Sequence, residues 1–300
     1  MARPFPEVEG IEHRYVDVGS LTMHVAEAGD PGADPIVLLH GWPQHWYEWR
    51  HQIPVLARHY RVIAPDLRGF GWSDAPPQGY DKENMATDVL NLLDTLGIDH
   101  VRLVGHDWGG WIGFLISLRT PDRVRRQVAC NIPPPFANRD PRAFAALWRF
   151  WYQVVLAMPA VGANAVQKRD FVAGIFRRSA KPGTWTDAEI REFAEPLREP
   201  DRTRATIQLY RTFLTREFAR IGAGAYNKRR LTVPTKLLFG EDDFAIPKRM
   251  VTGDFSRFAD HLEVELVPDT GHFIVDERPD LVTRRVLDFF SAVDRPAAVG

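Results

Sequence analysis

The sequence predicts an α/β protein, a mostly parallel sheet flanked by helices and interrupted once by an inserted helical stretch. Three observations carry this. Short apolar runs bounded by turn residues alternate with segments of helical periodicity up to about residue 130. The alternation stops at Pro133-Pro134-Pro135, and no strong strand pattern follows until about Arg230. It then resumes with TKLLFG at 235–240 and HLEVELV at 261–267.

Residues 12–17 and 22–27 read as short strands. PIVLLH at 35–40 is an apolar run closed by Gly41, which suits a strand buried on both faces. Residues 46–58 carry a helical pattern, and RVIAPD at 61–66 is a second buried strand. Gly69, Gly71 and Pro76-Pro77 mark a long loop. Asp81 is placed to cap a helix running to Leu96, with Gly97 as its stop. HVRLVGHD at 100–107 is a third strand, followed by a helix from Trp108 to Arg119 that Thr120-Pro121 ends. VRRQVAC at 124–130 is another strand, and its Cys130 reads as a small buried hydrophobe. Residues 135–228 are rich in Trp, Phe, Arg and Ala at helical spacing, broken at Pro159, Pro182, Pro196 and Pro200. They are expected to form a helical cap on a core made of 1–134 and 229–300. A last helix is expected over 279–293.

Composition narrows the function classes. Lys plus Arg is 38 and Asp plus Glu is 39, so the net charge of -1 supplies no field to recruit nucleic acid or an anionic membrane. The basic runs at 123–126 and 228–230 read as solvated surface. The lone cysteine excludes an internal disulfide. The N-terminus has no signal-like apolar stretch, and no apolar run approaches the ~18 residues of a membrane span. The cytoplasm is the expected location, with a small-molecule substrate as partner and a homodimer compatible with the sequence. Gly-x-Gly at 69–71 and 222–224 lacks the rest of a dinucleotide fingerprint. His40, His45 and His51 lack paired metal-ligand spacing. No cofactor and no metal are expected.

The chemistry concentrates at Gly105-His106-Asp107-Trp108-Gly109, between a buried strand and a helix. A sharp strand-to-helix turn there, made possible by Gly105, Gly109 and Gly110, would lift the central side chain above the C-terminal sheet edge and the positive end of the helix. The plainer alternative is that Asp107 only caps the helix. A carboxylate at this position attacking a saturated carbon would give an alkyl ester that water can cleave. A serine would leave an inert ether. Thr270-Gly271-His272-Phe273, after the last strand, offers a base, and Glu241-Asp242-Asp243 offers three competing acids. The chain order nucleophile, acid, base fits a triad in which the acid orients His272 to activate water. His40-Gly41-Trp42-Pro43 is a tight turn whose Trp42 N–H, with that of Trp108, would make an oxyanion hole.

The segments HGWPQHWYEWR at 40–50, DLRGFGWSD at 66–74, GHDWGG at 105–110, GEDDF at 240–244 and GHF at 271–273 resemble the soluble epoxide hydrolases, α/β-hydrolases with an aspartate nucleophile. The resemblance covers nearly the whole chain. It implies that Asp243, three residues past the strand-ending Gly240, is the acid. It also implies two cap tyrosines that donate to the epoxide oxygen. Tyr152 stands seven residues before Pro159, and Tyr210 lies in a Tyr-Arg pair. The bland alternative is that both are packing aromatics. The expected reaction opens an apolar epoxide to a vicinal diol through an ester on Asp107. The nearest rival is a haloalkane dehalogenase, although such enzymes carry Asn where this chain has Trp42 and lack the tyrosine pair. Haloacetate dehalogenases carry two arginines after the nucleophile, where this chain has Trp108 and Trp111. A silent binding protein on the same fold is the rival from another class.

Overall fold

The computed structural model describes residues 3–136 and 147–291. Within them, one eight-stranded sheet runs β1 (Glu12–Asp17), β2 (Thr22–Ala28), β4 (Arg61–Pro65), β3 (Pro35–Leu39), β5 (Val101–His106), β6 (Val124–Cys130), β7 (Thr235–Gly240) and β8 (Leu262–Val267), in that spatial order. β1 pairs antiparallel with β2, and β2 with β4; every other pairing is parallel. Alternation along β3 divides the core. Val37 and Leu39 join one apolar cluster with helices α2 (Lys82–Thr95) and α3 (Trp108–Arg119). Ile36 and Leu38 join the other, with α1 (Ile53–Leu56) and the terminal helix Pro279–Ser291. Burial on both faces is what makes the central strands unbroken apolar runs.

The expected helix over 46–58 is two short pieces, a 3₁₀ turn at Trp46–Trp49 and the single α turn α1. Pro54 explains the break. It has no N–H to donate, and in a continuous helix its ring would meet the carbonyl of Arg50. Trp46, Trp49, Ile53 and Leu56 still bury against the same sheet face, which is why their spacing reads as helical.

Between β6 and β7 the longer described elements are helices: α4 (Trp151–Ala157), α5 (Pro159–Gln167), α6 (Arg169–Ser179), α7 (Asp187–Ala194), α8 (Pro200–Thr212), a π turn (Phe213–Glu217) and α9 (Phe218–Gly222). Pro159 and Pro200 start helices at N1, where a missing N–H costs nothing. The short α10 (Ile274–Glu277) and α11 (Pro279–Ser291) close the described chain. The first residues of the expected cap, 137–146, lie outside the described residues, as do the last positions of the expected C-terminal helix.

Candidate active site

Asp107 sits between β5 and α3 with φ 47° and ψ −123°. This left-handed conformation is strained for any residue with a Cβ, and it persists only where the surroundings impose it. They do. The Asp107 N–H donates to the Cys130 carbonyl (3.1 Å), and its own carbonyl accepts the first helical bond, from Trp111 (3.0 Å). A Cβ on Gly41 would stand 2.5 Å from that of Asp107, and one on Gly105 would stand 2.6 Å from the backbone of Gly109. The Asp107 carboxylate makes no capping bond to its own helix. One oxygen, Oδ2, instead accepts the Trp42 N–H at 3.0 Å. The turn that presents this N–H is pinned by His40, whose Nε2 accepts the Leu67 N–H (2.9 Å) and whose Nδ1 faces the Gly41 carbonyl (3.0 Å). The other expected donor, Trp108, is the first residue of α3, where the opening N–H groups have no partner within the helix.

His272 reaches the same place from the loop after β8. Its Nε2 is 3.8 Å from Asp107 Oδ1, and its Nδ1 is 2.8 Å from Asp243 Oδ2. The three candidate acids separate cleanly. Glu241 pairs with Lys248 and Asp242 with Lys181 near the surface, whereas Asp243 is buried against the histidine. Burial alone would lower the pKa of His272. The charge and hydrogen bond of Asp243, then the charge of Asp107, outweigh it and hold the imidazole above its usual value.

The helices between β6 and β7 bring both tyrosines over the elbow. Tyr152 of α4 stacks on Trp42 (ring centroids 6.4 Å apart), and Tyr210 of α8 meets Trp42 edge-on at 5.2 Å. Their own rings are 6.0 Å apart. Together with Asp107, Trp42 and His272 they line a cavity of about 190 Å³ walled by Phe171, Ile175, Phe244 and Phe273. Burial, then the Asp107 charge, raises the pKa of Tyr152. Tyr210 is likewise raised, by burial and then by Tyr152 and Asp107, and its ring meets that of Trp108 edge-on at 6.0 Å. Both phenols are therefore held as neutral O–H donors.

Several residues that support this arrangement went unnoticed in the sequence. Asn131, just past β6, donates to Asp243 Oδ2 (2.8 Å) and to the Gly271 carbonyl (3.1 Å). Its unusual φ of 46° has no local sequence signature beyond the tolerance of Asn for that conformation. Buried His106 contacts the His272 carbonyl (3.0 Å) and Glu48 (3.5 Å), and Glu48 also accepts the Gly41 N–H (3.3 Å). Burial works against a charge on His106, but Glu48 overcomes it and lifts its pKa to about 9. Thr206 of α8 accepts the Trp42 indole N–H at 3.3 Å. Among the described residues no group of three or more His, Cys, Asp or Glu could hold a metal ion, and no helix is long and apolar enough to cross a membrane.

Residues 34–279 match the alpha/beta hydrolase fold family. A soluble epoxide hydrolase of Corynebacterium sp. (strain C12) is 33% identical, with 94% of this chain and 98% of that protein covered. The crystal structure of wild-type Cfl2 from Burkholderia cenocepacia superposes with a TM-score of 0.81 at 28% identity, covering 96% of this chain and 98% of that one. The epoxide hydrolase CorEH, solved without ligand, gives a TM-score of 0.72 at 30% identity over 93% and 98%.

Proposed function

This chain belongs to the alpha/beta hydrolase fold family, and from that membership and the site geometry we propose that it hydrolyses an epoxide to a vicinal diol through an ester on Asp107. The observation that carries the reading is the shared cavity: an aspartate on the elbow, its Oδ2 on an oxyanion-type N–H, enclosed with a histidine and two neutral phenols. Residues 135–228 act in this scheme as the cap, because they deliver both phenols.

Asp107 attacks a ring carbon while Tyr152 and Tyr210 donate hydrogen bonds to the epoxide oxygen. The C–O bond breaks, its electron pair passes to that oxygen, and a tyrosine proton neutralises it. Esterification removes the Asp107 charge. His272, oriented by Asp243, then takes a proton from water. The hydroxide adds to the ester carbonyl, and the N–H groups of Trp42 and Trp108 hold the resulting oxyanion. Collapse frees the diol and regenerates the Asp107 carboxylate, and the proton left on His272 restores the tyrosine. The net change is one water added. The apolar walls suit a mainly hydrocarbon epoxide.

His272→Gln keeps the nucleophile and removes the base. Intact-protein mass spectrometry after mixing with an aryl epoxide such as styrene oxide should show one added substrate mass, located on the peptide containing Asp107. Asp107→Ala should show neither adduct nor diol. If diol forms with no adduct in His272→Gln at any time point, the two-step scheme is wrong.

A further inference from the structure

Lys82 is the first residue of α2 and is fully buried, although no step above uses it. Its position is costly twice over. A buried ammonium must be paired, and a cation at a helix N-terminus faces the positive end of the dipole. The structure pairs it fully with groups next to the candidate site. Nζ donates to Glu217 Oε2 (2.9 Å) in the π turn and to the Leu209 carbonyl (2.9 Å), which belongs to the peptide immediately before Tyr210. It stands 4.5 Å from the centroid of the Trp108 ring and 5.3 Å from that of Phe213. Glu217 Oε1 also accepts the Lys82 backbone N–H (2.8 Å), so one carboxylate serves both the helix start and the ammonium. The π turn that carries Glu217 begins three residues after Tyr210, and such turns recur where a helix must serve a site.

We propose that Lys82 is a positioning residue for ring opening, which strengthens the Tyr210 hydroxyl as a donor by polarising the Trp108 indole and by gripping the peptide before Tyr210. A cation over an indole face draws density out of the π system, so the ring N–H becomes a better donor. That indole meets Tyr210 edge-on, with ring centroids 6.0 Å apart. As the epoxide C–O bond breaks and its oxygen takes the Tyr210 proton, negative charge moves onto the phenol oxygen. The polarised Trp108 indole, packed edge-on against that ring, and the ammonium behind it stabilise the charge where little water screens them. The proposal rests on the epoxide reading, and its tests separate the two.

The decisive experiment is single-turnover kinetics on Lys82→Met, with ester formation and ester decay measured separately. Ester formation should slow about thirtyfold, the scale of a desolvated cation–π contact, while ester decay stays within about twofold. Lys82→Arg should recover most of the loss. In a Tyr210→Phe background, Lys82→Met should cause little further slowing. If Lys82→Met is too unstable to assay, Lys82→Met/Glu217→Gln removes the carboxylate left without its cation and is compared with Glu217→Gln alone. A substrate-independent readout is the Trp108 indole ¹H–¹⁵N resonance, assigned through Trp108→Phe, which should move upfield in Lys82→Met. An unchanged ester-formation rate, equal slowing of both steps, or full slowing in the Tyr210→Phe background would overturn the role, as would an unmoved indole resonance. Failure of the parent protein to form any epoxide adduct would instead overturn the epoxide reading and leave the indole shift to stand or fall alone.

Discussion

Asn131 gives the sharpest test of how the base is held. Its side chain is fully buried and spans three strand ends. It donates to Asp243 Oδ2 at 2.8 Å and to the Gly271 carbonyl at 3.1 Å, and its oxygen accepts the Gly240 N–H at 3.3 Å. Truncation to alanine removes a hydrogen bond to a charged acceptor, worth roughly 1.5–3 kcal/mol, and leaves a buried N–H and carbonyl short of partners at about 1–3 kcal/mol. A total loss of about 3–5 kcal/mol is expected. The φ of 46° adds a separate strain of about 1 kcal/mol for alanine, which glycine escapes. Asn131→Gly should therefore be about 1 kcal/mol more stable than Asn131→Ala, even though it deletes more atoms. The same oxygen of Asp243 holds both Asn131 and His272 Nδ1, so losing the amide frees the acid to swing and misaims the base. Displacements of that kind cost about a hundredfold. Urea unfolding would give the stabilities, and rapid-quench detection of the ester would give the two chemical steps. Ester decay should slow about a hundredfold with ester formation nearly unchanged. Alanine and glycine variants of equal stability, or an alanine variant within 1 kcal/mol of the parent that turns over normally, would refute the reasoning.

Two further outcomes follow from the site. Tyr152→Phe and Tyr210→Phe should each slow ester formation, by about tenfold to a hundredfold for one of two donors to a developing alkoxide; normal ester-formation rates in both single variants and in the double would remove the tyrosines from the mechanism. In the proposed scheme hydrolysis of the ester needs neutral His272, so its rate should rise with pH through the His272 titration. Asp243 and Asp107 both raise that pKa against burial, and the ester form has lost the Asp107 charge. Asp107→Asn removes the same charge, so the His272 titration, followed by imidazole NMR, should move to lower pH than in the parent protein. A midpoint at equal or higher pH would contradict the electrostatic account.

What the sequence revealed follows from how local each constraint is. The elbow is a contiguous glycine-flanked turn, so its neighbours mark Asp107 as a candidate, and the chain order of acid and base sets it apart from a plain helix cap. The strands could be read because burial on both faces leaves unbroken apolar runs such as Ile36–Leu39. Tyr152, Tyr210 and Asp243 needed the family resemblance, since nothing in the spacing of a tyrosine on a helix says which way the helix turns. Asn131, His106 and Glu48 stayed hidden because their partners lie far along the chain. Asn131 meets Asp243 across 112 positions and His106 meets His272 across 166. The helix expected over 46–58 failed at Pro54, a residue whose effect depends on where the helix would have to start, which an amphipathic pattern does not record.

The indole N–H groups also bear on which leaving group the cavity suits. A departing halide needs donors that stay free until the carbon–halogen bond breaks. Here the Trp42 indole donates to Thr206 on α8, and its ring is stacked against Tyr152. The Trp108 ring meets Tyr210 edge-on beneath the Lys82 ammonium. The Trp42 indole N–H is already engaged, and both rings pack against a phenol. An epoxide oxygen differs from a halide in that it stays on the product and must gain a proton. Two hydroxyls share the cavity with Asp107, and in the proposed reaction they keep their protons until a stronger base, the nascent alkoxide, appears beside them. A strongly basic leaving oxygen is the acceptor for which such reluctant donors are matched, and a halide ion would leave their protons unused.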